Sequence, residues 1–337
     1  MTTPTPVISV CLPTFNRVNL LQECLPTILR QTCKEIEVLV ADNCSTDGTA
    51  NFMAQCRDPR VRYYRHAQNL GPYPNMNYLL EQAKSQYVCI LHDDDLYAPD
   101  FLACGRELLD QYPRVSLVHC AVREINSQGQ AYRLLKAYPT TRVVSGRKEF
   151  VRFLEGHNIC CSTVMMRRTV LQQVGSFETQ YICADFLMWL KLALAGDVAY
   201  LAKPLVKRRV HAETVSNSLD PAWWRREFVG IVERGFALAV DAYPEVTAQR
   251  QAIMRRAPRA QGRRFLVAAL SCTVHGRFEL ARDYASVIEQ FRATGAPAYY
   301  SWLARWLANR PGQVLLAPVR RLRQTQARRL AVMGGRR

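Results

Sequence analysis

Short apolar runs alternate with helical patterns along the first 120 residues of this 337-residue chain. Five runs of mainly apolar or aromatic residues have the length of buried strands, at 7–12, 36–41, 61–64, 87–92 and 115–120. Between them, apolar residues recur at helical spacing in 20–30, 49–56, 75–84 and 99–112. Strands separated by helices form βαβ units, so the pattern predicts an α/β fold with a mostly parallel central sheet flanked by helices.

Polar residues follow three of these strands directly. They are Pro13-Thr14-Phe15-Asn16-Arg17 after the first strand, the loop 42–47 after the second, and His92-Asp93-Asp94-Asp95 after the fourth. Ligands of open parallel sheets bind at the carboxyl ends of the strands. The sequence therefore predicts a binding site where these three loops converge.

Three consecutive aspartates, Asp93 to Asp95, end the third of these loops. Adjacent carboxylates repel each other, and a hard divalent ion such as Mg2+ or Mn2+ would relieve that repulsion and bind a diphosphate. A solvated acidic turn before the helix near Pro99 explains the same residues without a metal. The glycine-rich motifs of P-loop and classical dinucleotide-binding proteins are absent from the sequence, so a nucleotide would be held through a metal and side chains.

The composition is that of a globular protein, with 49% hydrophobic and 22% charged residues. No apolar run reaches about 18 residues, the length that spans a bilayer. The N-terminus lacks the basic segment and apolar core of a secretory signal. The twelve cysteines lie in apolar runs or predicted helices without any Cys-x-x-Cys pair, which indicates reduced thiols in a cytosolic protein.

The pattern changes after residue 120. Ser127-Gln128-Gly129 predicts a hairpin turn, 184–195 a helix, and 198–201 and 205–210 two strands. Beyond residue 220 the predicted elements are helices, at 222–242, 246–256, 263–275, 278–294 and 299–309. We therefore predict three regions: an α/β domain at 1–219 that contains the predicted binding site, a helical subdomain at 220–310 and a basic tail at 311–337.

The net charge of +17 is concentrated in the last third of the chain. Residues 220–337 contain 21 arginines, no lysine and eight acidic residues, a net charge of +13. Such a segment attracts a polyanion, either an anionic membrane surface or a nucleic acid. Aromatic and aliphatic residues at 299–307 precede the arginines, as in interfacial helices, whereas no nucleic-acid recognition motif is present. We expect a membrane surface and no nucleic acid as partner; a solvated tail is the alternative.

Seven motifs, taken in order, carry a family resemblance. They are Val7 to Arg17, Val38 to Thr49, Asn69-x-Gly71 with Asn75, Ile90 to Asp95 with Pro99, Gly175-Ser176-Phe177, Asp185-x-x-x-Trp189-Leu190, and Arg209-Val210-His211. Their order and spacing, over roughly residues 5–217, resemble the family 2 glycosyltransferases of the Rossmann-like GT-A fold. The resemblance implies a hexosyltransferase-type, metal-dependent enzyme that moves a sugar from a nucleotide-diphosphate sugar to a hydroxyl acceptor with inversion.

The resemblance also implies roles for individual residues. The metal, Mg2+ or Mn2+, is assigned to Asp94 and Asp95, because His92 stands where the commonest form of the motif has its first acid; which of the three aspartates ligates stays open. Asp185 is the expected general base, although Ala184 replaces the glutamate that commonly precedes it. Donor binding is assigned to nine residues: Pro13, Thr14, Asn16, Arg17, Asp42, Asn69, Asn75, Asp93 and His211.

Elementary chemistry supports these roles but leaves alternatives. A carboxylate such as Asp185 can take the proton of an acceptor hydroxyl as its oxygen attacks the anomeric carbon, and a metal can stabilise the departing diphosphate. Asp185 is equally a helix N-terminal acid favoured by the helix dipole. His92 and Ala184 together leave open a non-catalytic sugar-nucleotide-binding scaffold.

The resemblance further suggests a biological setting. Enzymes of this kind build surface polysaccharides or glycolipids, and the expected acceptor is a saccharide or a lipid-linked saccharide. We expect a cytoplasmic protein that is peripheral on the cytoplasmic face of the inner membrane, held there by its basic tail.

Overall fold

The computed structural model describes residues 5–156, 159–210, 221–274, 276, 278–292, 297–309 and 317–318. They fall into two compact units. The first contains the described residues 5–153, 159–210 and 234–244; the second contains 154–156, 221–233 and the described residues from 245 onward. The predicted domain boundary falls within 211–220 and most of the predicted tail follows residue 318, so both lie outside the described residues and stay predictions.

The first unit is built from strands and helices in alternation. Its strands are β1 (Ile8–Thr14), β2 (Ile36–Asp42), β3 (Val61–Arg65), β4 (Tyr87–Ile90), β5 (Leu96–Tyr97), β6 (Val115–Ile125), β7 (Ala131–Leu135), β8 (Arg142–Val144), β9 (Met165–Arg167) and β10 (Asp197–Arg209). Its helices are α1 (Val18–Leu29), α2 (Thr49–Gln55), α3 (Pro72–Gln82), α4 (Phe101–Gln111), α5 (Gly146–Glu155), α6 (Arg168–Val174) and α7 (Ala184–Ala195).

These strands form one sheet in the order β3-β2-β1-β4-β9-β6-β10-β5, with β7 beside β6 and β8 beside β10. The first four strands are parallel, in a register that pairs Thr14 with Asp42 and Cys11 with Ile90. The predicted α/β architecture is confirmed. The sheet is more mixed than the sequence indicated, because β5, β7, β8 and β9 join it antiparallel.

The core of this unit lies between the sheet and its helices. Ile8, Val10 and Leu12 of β1 are fully buried and pack with Leu21 and Ile28 of α1. Every residue of β2 is buried, as expected for a strand covered on both faces. This rigid centre holds the carboxyl ends of β1, β2 and β4 side by side.

Two elements that the sequence analysis predicted to be interrupted are continuous in the structure. The strands expected at 198–201 and 205–210 form the single strand β10, whose pairing with β6 is irregular around Pro204, a residue without an N–H to donate. In the second unit, residues 250–256 of the helix expected at 246–256 and the described residues of the one expected at 263–275 form a single helix across Pro258. Buried Ile253, Ala257 and Gln261 lie four residues apart on one face, so packing retains the helix despite the lost hydrogen bond.

The second unit is helical in the described residues. It contains the first part of α8 (Pro221–Ala239), α9 (Pro244–Ala248), α10 (Arg250–Val274), α11 (Phe278–Arg292) and α12 (Ala298–Ala308). Its core is made mainly of small side chains, which let α10, α11 and α12 approach closely: Ala269, Ala281, Ala285, Ile288, Ala304 and Ala308. Of the helices described, none combines the length and apolarity that crossing a membrane requires.

Candidate active site

The three polar loops meet at the carboxyl edge of the sheet, as predicted. The hydroxyl of Thr14 donates to Asp93 Oδ2 at 2.7 Å, which joins the loops after β1 and β4. The backbone N–H of Asn16 donates to Ser45 Oγ at 2.9 Å, which joins the loops after β1 and β2. The β1 loop is therefore hydrogen-bonded to both of its neighbours.

The aspartates at this edge are held by cations and backbone. Arg17 Nη1 lies 3.3 Å from Asp93 Oδ1 and 3.1 Å from Asp94 Oδ2. Asp95 Oδ1 accepts the backbone N–H of Arg209 at 2.8 Å, whereas its Oδ2 is buried without a hydrogen-bond partner. Burial, and then the charge of Asp94, raise the pKa of both Asp93 and Asp95. These buried carboxylates resist ionisation unless a cation compensates them.

His92 joins this cluster. One ring nitrogen of His92, one oxygen of Asp94 and one of Asp95 all lie within 4.8 Å of one another. Nε2 of His92 is buried without a hydrogen-bond partner, like Asp95 Oδ2. Two buried polar atoms without partners beside a third ligand atom fit a divalent ion. The sequence placed His92 next to the aspartates but could not show where its ring lies.

The loop after β2 is held by its own side chains. Asp42 is fully buried and accepts hydrogen bonds from Ser45 N at 2.8 Å and from the Tyr63 hydroxyl at 2.6 Å. Asn43, which the sequence analysis missed, donates to Asn69 Oδ1 at 2.7 Å and accepts from the backbone N–H of Leu70. These contacts fix the shape of the predicted donor loops.

The side chain of Asn75 also makes hydrogen bonds within the protein. Its Nδ2 donates to the carbonyl of Ala41 at 3.0 Å and its Oδ1 lies 2.9 Å from His66 Nε2. Its side chain is thus engaged inside the protein, as are those of Asp42 and Asn69, so their direct contacts with a donor stay predictions. Pro13 lies within β1, and His211 is outside the described residues.

Asp185 is the second residue of α7 and is partly buried. Its Oδ1 accepts the backbone N–H of Phe186 at 2.9 Å and the Tyr73 hydroxyl at 3.3 Å. Burial raises the pKa of its carboxyl. Tyr73, in the first turn of α3, was not singled out by the sequence analysis, because its contact depends on two segments 112 residues apart.

A second contact fixes α3 against the segment before α7. The side-chain amide of Asn77 donates to the carbonyl of Phe177 and accepts its N–H, both at 2.9 Å. The ring of Tyr73 packs against that of Phe177, with centroids 5.3 Å apart. The position of Asp185 is thus defined by α3 as well as by its own helix.

Asp185 and the acidic cluster share one neighbourhood. His92 interacts electrostatically with both Asp93 and Asp185, and Cys161 interacts with both Asp185 and Asp95. The carboxyl of Asp185 is therefore close enough to interact electrostatically with His92, a member of the cluster with Asp94 and Asp95. This arrangement can hold an anionic group through a cation while an adjacent carboxylate accepts a proton.

The sequence has relatives among known proteins. The model of the family described as "Glycosyl transferase family 2" matches residues 9–175. An uncharacterized glycosyltransferase of Rickettsia conorii is 27% identical over 237 residues, 70% of this chain and 37% of the relative. TuaG of Bacillus subtilis, assigned provisionally to teichuronic acid biosynthesis, is 26% identical over 67% of this chain and 86% of its own. The chain thus spans little more than a third of the Rickettsia relative.

Solved structures share the fold. The crystal structure of S. aureus TarS 1-349 in complex with UDP-GlcNAc matches 85% of this chain and 90% of its own, with a TM-score of 0.59 at 18% identity. The mannosyltransferase PcManGT from Pyrobaculum calidifontis, in complex with GDP-Man and Mn2+, matches 95% and 88%, with a TM-score of 0.53 at 20% identity. The family match, the GT-A fold and the motifs gathered at the sheet edge together show that the chain belongs to glycosyltransferase family 2.

Proposed function

We propose that this protein transfers a sugar from a nucleotide-diphosphate sugar to a hydroxyl group of an acceptor, with inversion at the anomeric carbon. The observation that supports the proposal is the electrostatic interaction of the buried Asp185 carboxyl with His92, which clusters with Asp94 and Asp95. TarS and PcManGT, which share the fold, were solved with UDP-GlcNAc and GDP-Man, which supports a donor of this chemical class.

Asp94 and Asp95 would hold Mg2+ or Mn2+, with His92 beside them. The bound ion would supply Lewis-acid stabilisation to the negative charge of the diphosphate leaving group. Arg17 now neutralises Asp93 and Asp94 and lies where it can also contact a phosphate. Thr14 orients Asp93 through its hydroxyl.

Asp185 would act on the acceptor. Both of its hydrogen bonds reach Oδ1, which leaves Oδ2 for the acceptor hydroxyl. Burial raises the pKa of the carboxyl and makes it a stronger base than an exposed aspartate. A single displacement, with Asp185 taking the proton, inverts the anomeric centre.

A thermal-shift screen of nucleotide-sugars, with and without Mn2+, tests this proposal. We expect at least one nucleotide-diphosphate sugar to raise the Tm only when Mn2+ is present, because a ligand at 100 times its Kd stabilises by about 2.7 kcal/mol. No shift with any donor would contradict the proposal. Donor binding without hydrolysis or transfer would instead favour the non-catalytic scaffold.

We also propose that the acceptor is a saccharide or lipid-linked saccharide in surface polysaccharide or glycolipid synthesis, met at the cytoplasmic face of the inner membrane. The name of TuaG supports a polysaccharide role, and the net charge of +13 in residues 220–337 supports an anionic membrane surface as partner.

Deleting residues 312–337 tests the membrane proposal. The deletion removes seven arginines and no acidic residue, and each cation contributes about 1 kcal/mol of attraction near an anionic surface. We expect the full chain to sediment with anionic vesicles at low salt and the shortened chain to stay in the supernatant. Equal sedimentation of the two would show that the tail is not the anchor.

A further inference from the structure

The cation cluster contains a nitrogen atom beside its carboxylates. Resting on the proposed function, we infer that His92 is a direct ligand of the divalent ion and that the site consequently selects Mn2+ over Mg2+. The inference concerns a residue of this chain that stands where the commonest form of the family motif has an acid.

The backbone of His92 is fixed on both sides. Its N–H donates to the hydroxyl of Tyr97 at 2.8 Å, and its carbonyl accepts from that hydroxyl and from Cys24 Sγ at 3.3 Å. Tyr97 is buried in the core. The ring of His92 therefore projects from an anchored segment, which limits the positions that its nitrogens can take.

The imidazole ring of His92 has an unused hydrogen-bonding atom. Nε2 of His92 is buried and has no hydrogen-bond partner. A buried ring nitrogen without a partner is destabilising, and a bound ion would satisfy it. Asp95, which is 1% exposed, has an unpaired oxygen, Oδ2, in the same cluster. His92 and Asp95, two members of one cluster, thus each have a buried polar atom without a partner.

The spacing is that of ligands around one ion. Ligand atoms about 2.2 Å from a metal lie at most about 4.4 Å from one another. The three candidate atoms of His92, Asp94 and Asp95 lie within 4.8 Å of one another, so side-chain adjustment can bring all three to one ion. Asp93 is the less available carboxylate, because Thr14 and Arg17 each hold one of its oxygens.

This donor set discriminates between ions. Mg2+ demands oxygen ligands in near-ideal octahedral geometry and gives up its waters reluctantly. Mn2+ is a first-row transition ion, which accepts imidazole nitrogen beside carboxylates more readily than Mg2+ does. Replacing an acid by His92 therefore weakens Mg2+ binding more than Mn2+ binding.

Pulsed EPR of Mn2+ bound to the full chain tests the inference, because a directly bound imidazole modulates the echo through its 14N nucleus. We expect this modulation in the wild-type protein and in His66→Gln, whose ring lies 2.9 Å from Asn75 and outside the cluster. We expect His92→Gln to lose it. His211→Gln is the decisive comparison, since His211 follows Arg209 closely in sequence. Loss of the signal in His211→Gln but not in His92→Gln would overturn the assignment.

Competition between Mn2+ and Mg2+ gives a second readout. His92→Asp restores an all-oxygen site, and we expect the preference for Mn2+ over Mg2+ to fall by roughly tenfold or more. An unchanged preference, or Mn2+ binding without 14N modulation in the wild type, would overturn the inference while leaving the proposed transfer reaction intact. Absence of any Mn2+ binding would overturn the inference together with the metal dependence of the proposed function.

Discussion

Replacing Asp185 with asparagine is expected to lower turnover by about 10²–10⁴-fold, the usual contribution of a general base, and to leave donor affinity unchanged. Asparagine keeps the size of the side chain and an oxygen that accepts from Phe186 N and the Tyr73 hydroxyl, as Oδ1 does now. It cannot take the proton of the acceptor. The loss should therefore appear in kcat, measured by nucleotide release at saturating donor.

The alternative role of Asp185, as a helix N-terminal acid, predicts a different result. A favourable charge at a helix N-terminus contributes about 0.3–1 kcal/mol of stability and nothing to chemistry. Asp100, at the N-terminus of α4 and paired with Lys203, is a matched control. We expect Asp100→Asn to lose stability, because its hydrogen bond with Lys203 lowers the pKa of Asp100, and to retain turnover. Full turnover in Asp185→Asn would remove it as the base.

Asp95→Asn is expected to have two effects of opposite sign: it abolishes metal-dependent donor binding and stabilises the metal-free protein. Burial and the charge of Asp94 raise the pKa of Asp95, so its ionised form destabilises the fold at neutral pH. A neutral side chain removes that cost, and the Tm of the metal-free protein should rise by about 2–4 °C per kcal/mol relieved. The gain should vanish at pH values below about 3.9, where the carboxyl is protonated in both states.

Glu37→Gln is the control for this variant. Glu37 is also buried, but it lies at the start of β2, at the opposite end of the strand from the site. It accepts from the hydroxyls of Ser9 and Ser85 and lies 3.5 Å from Arg62. We expect its replacement to lower the Tm and to preserve the Mn2+-dependent shift with donor. A lower Tm of Asp95→Asn, or an undiminished Mn2+-dependent shift, would contradict the assignment of Asp95.

The strands β1, β2 and β4 could be predicted because they are covered on both faces. That burial produces continuous apolar runs, and the expected 36–41 became β2 at Ile36–Asp42. The strands β5, β8 and β9 contain only two or three residues each. Their pairing depends on partners distant in sequence, such as Met166 beside Val88, so no local pattern marks them.

In the candidate site, too, some features could be predicted from the sequence and others depend on contacts between distant residues. The convergence of Thr14 with Asp93 follows from a rule about parallel sheets and needs no knowledge of side chains. Tyr73 and Asn77 contact Asp185 and Phe177 across at least 100 residues of sequence, so no local pattern marks these contacts. Likewise, the lack of a hydrogen-bond partner for His92 Nε2 is a property of the folded chain that no sequence pattern indicates.

The most direct measurement is the configuration of the first sugar that the enzyme releases from its donor. Slow hydrolysis, with water replacing the acceptor, can be followed by 1H NMR before the free sugar mutarotates. We expect the anomer opposite to that of the donor to appear first, at a rate that requires the divalent ion and collapses in Asp185→Asn. First appearance of the donor's own anomer, or an unchanged rate in Asp185→Asn, would contradict a single displacement assisted by Asp185.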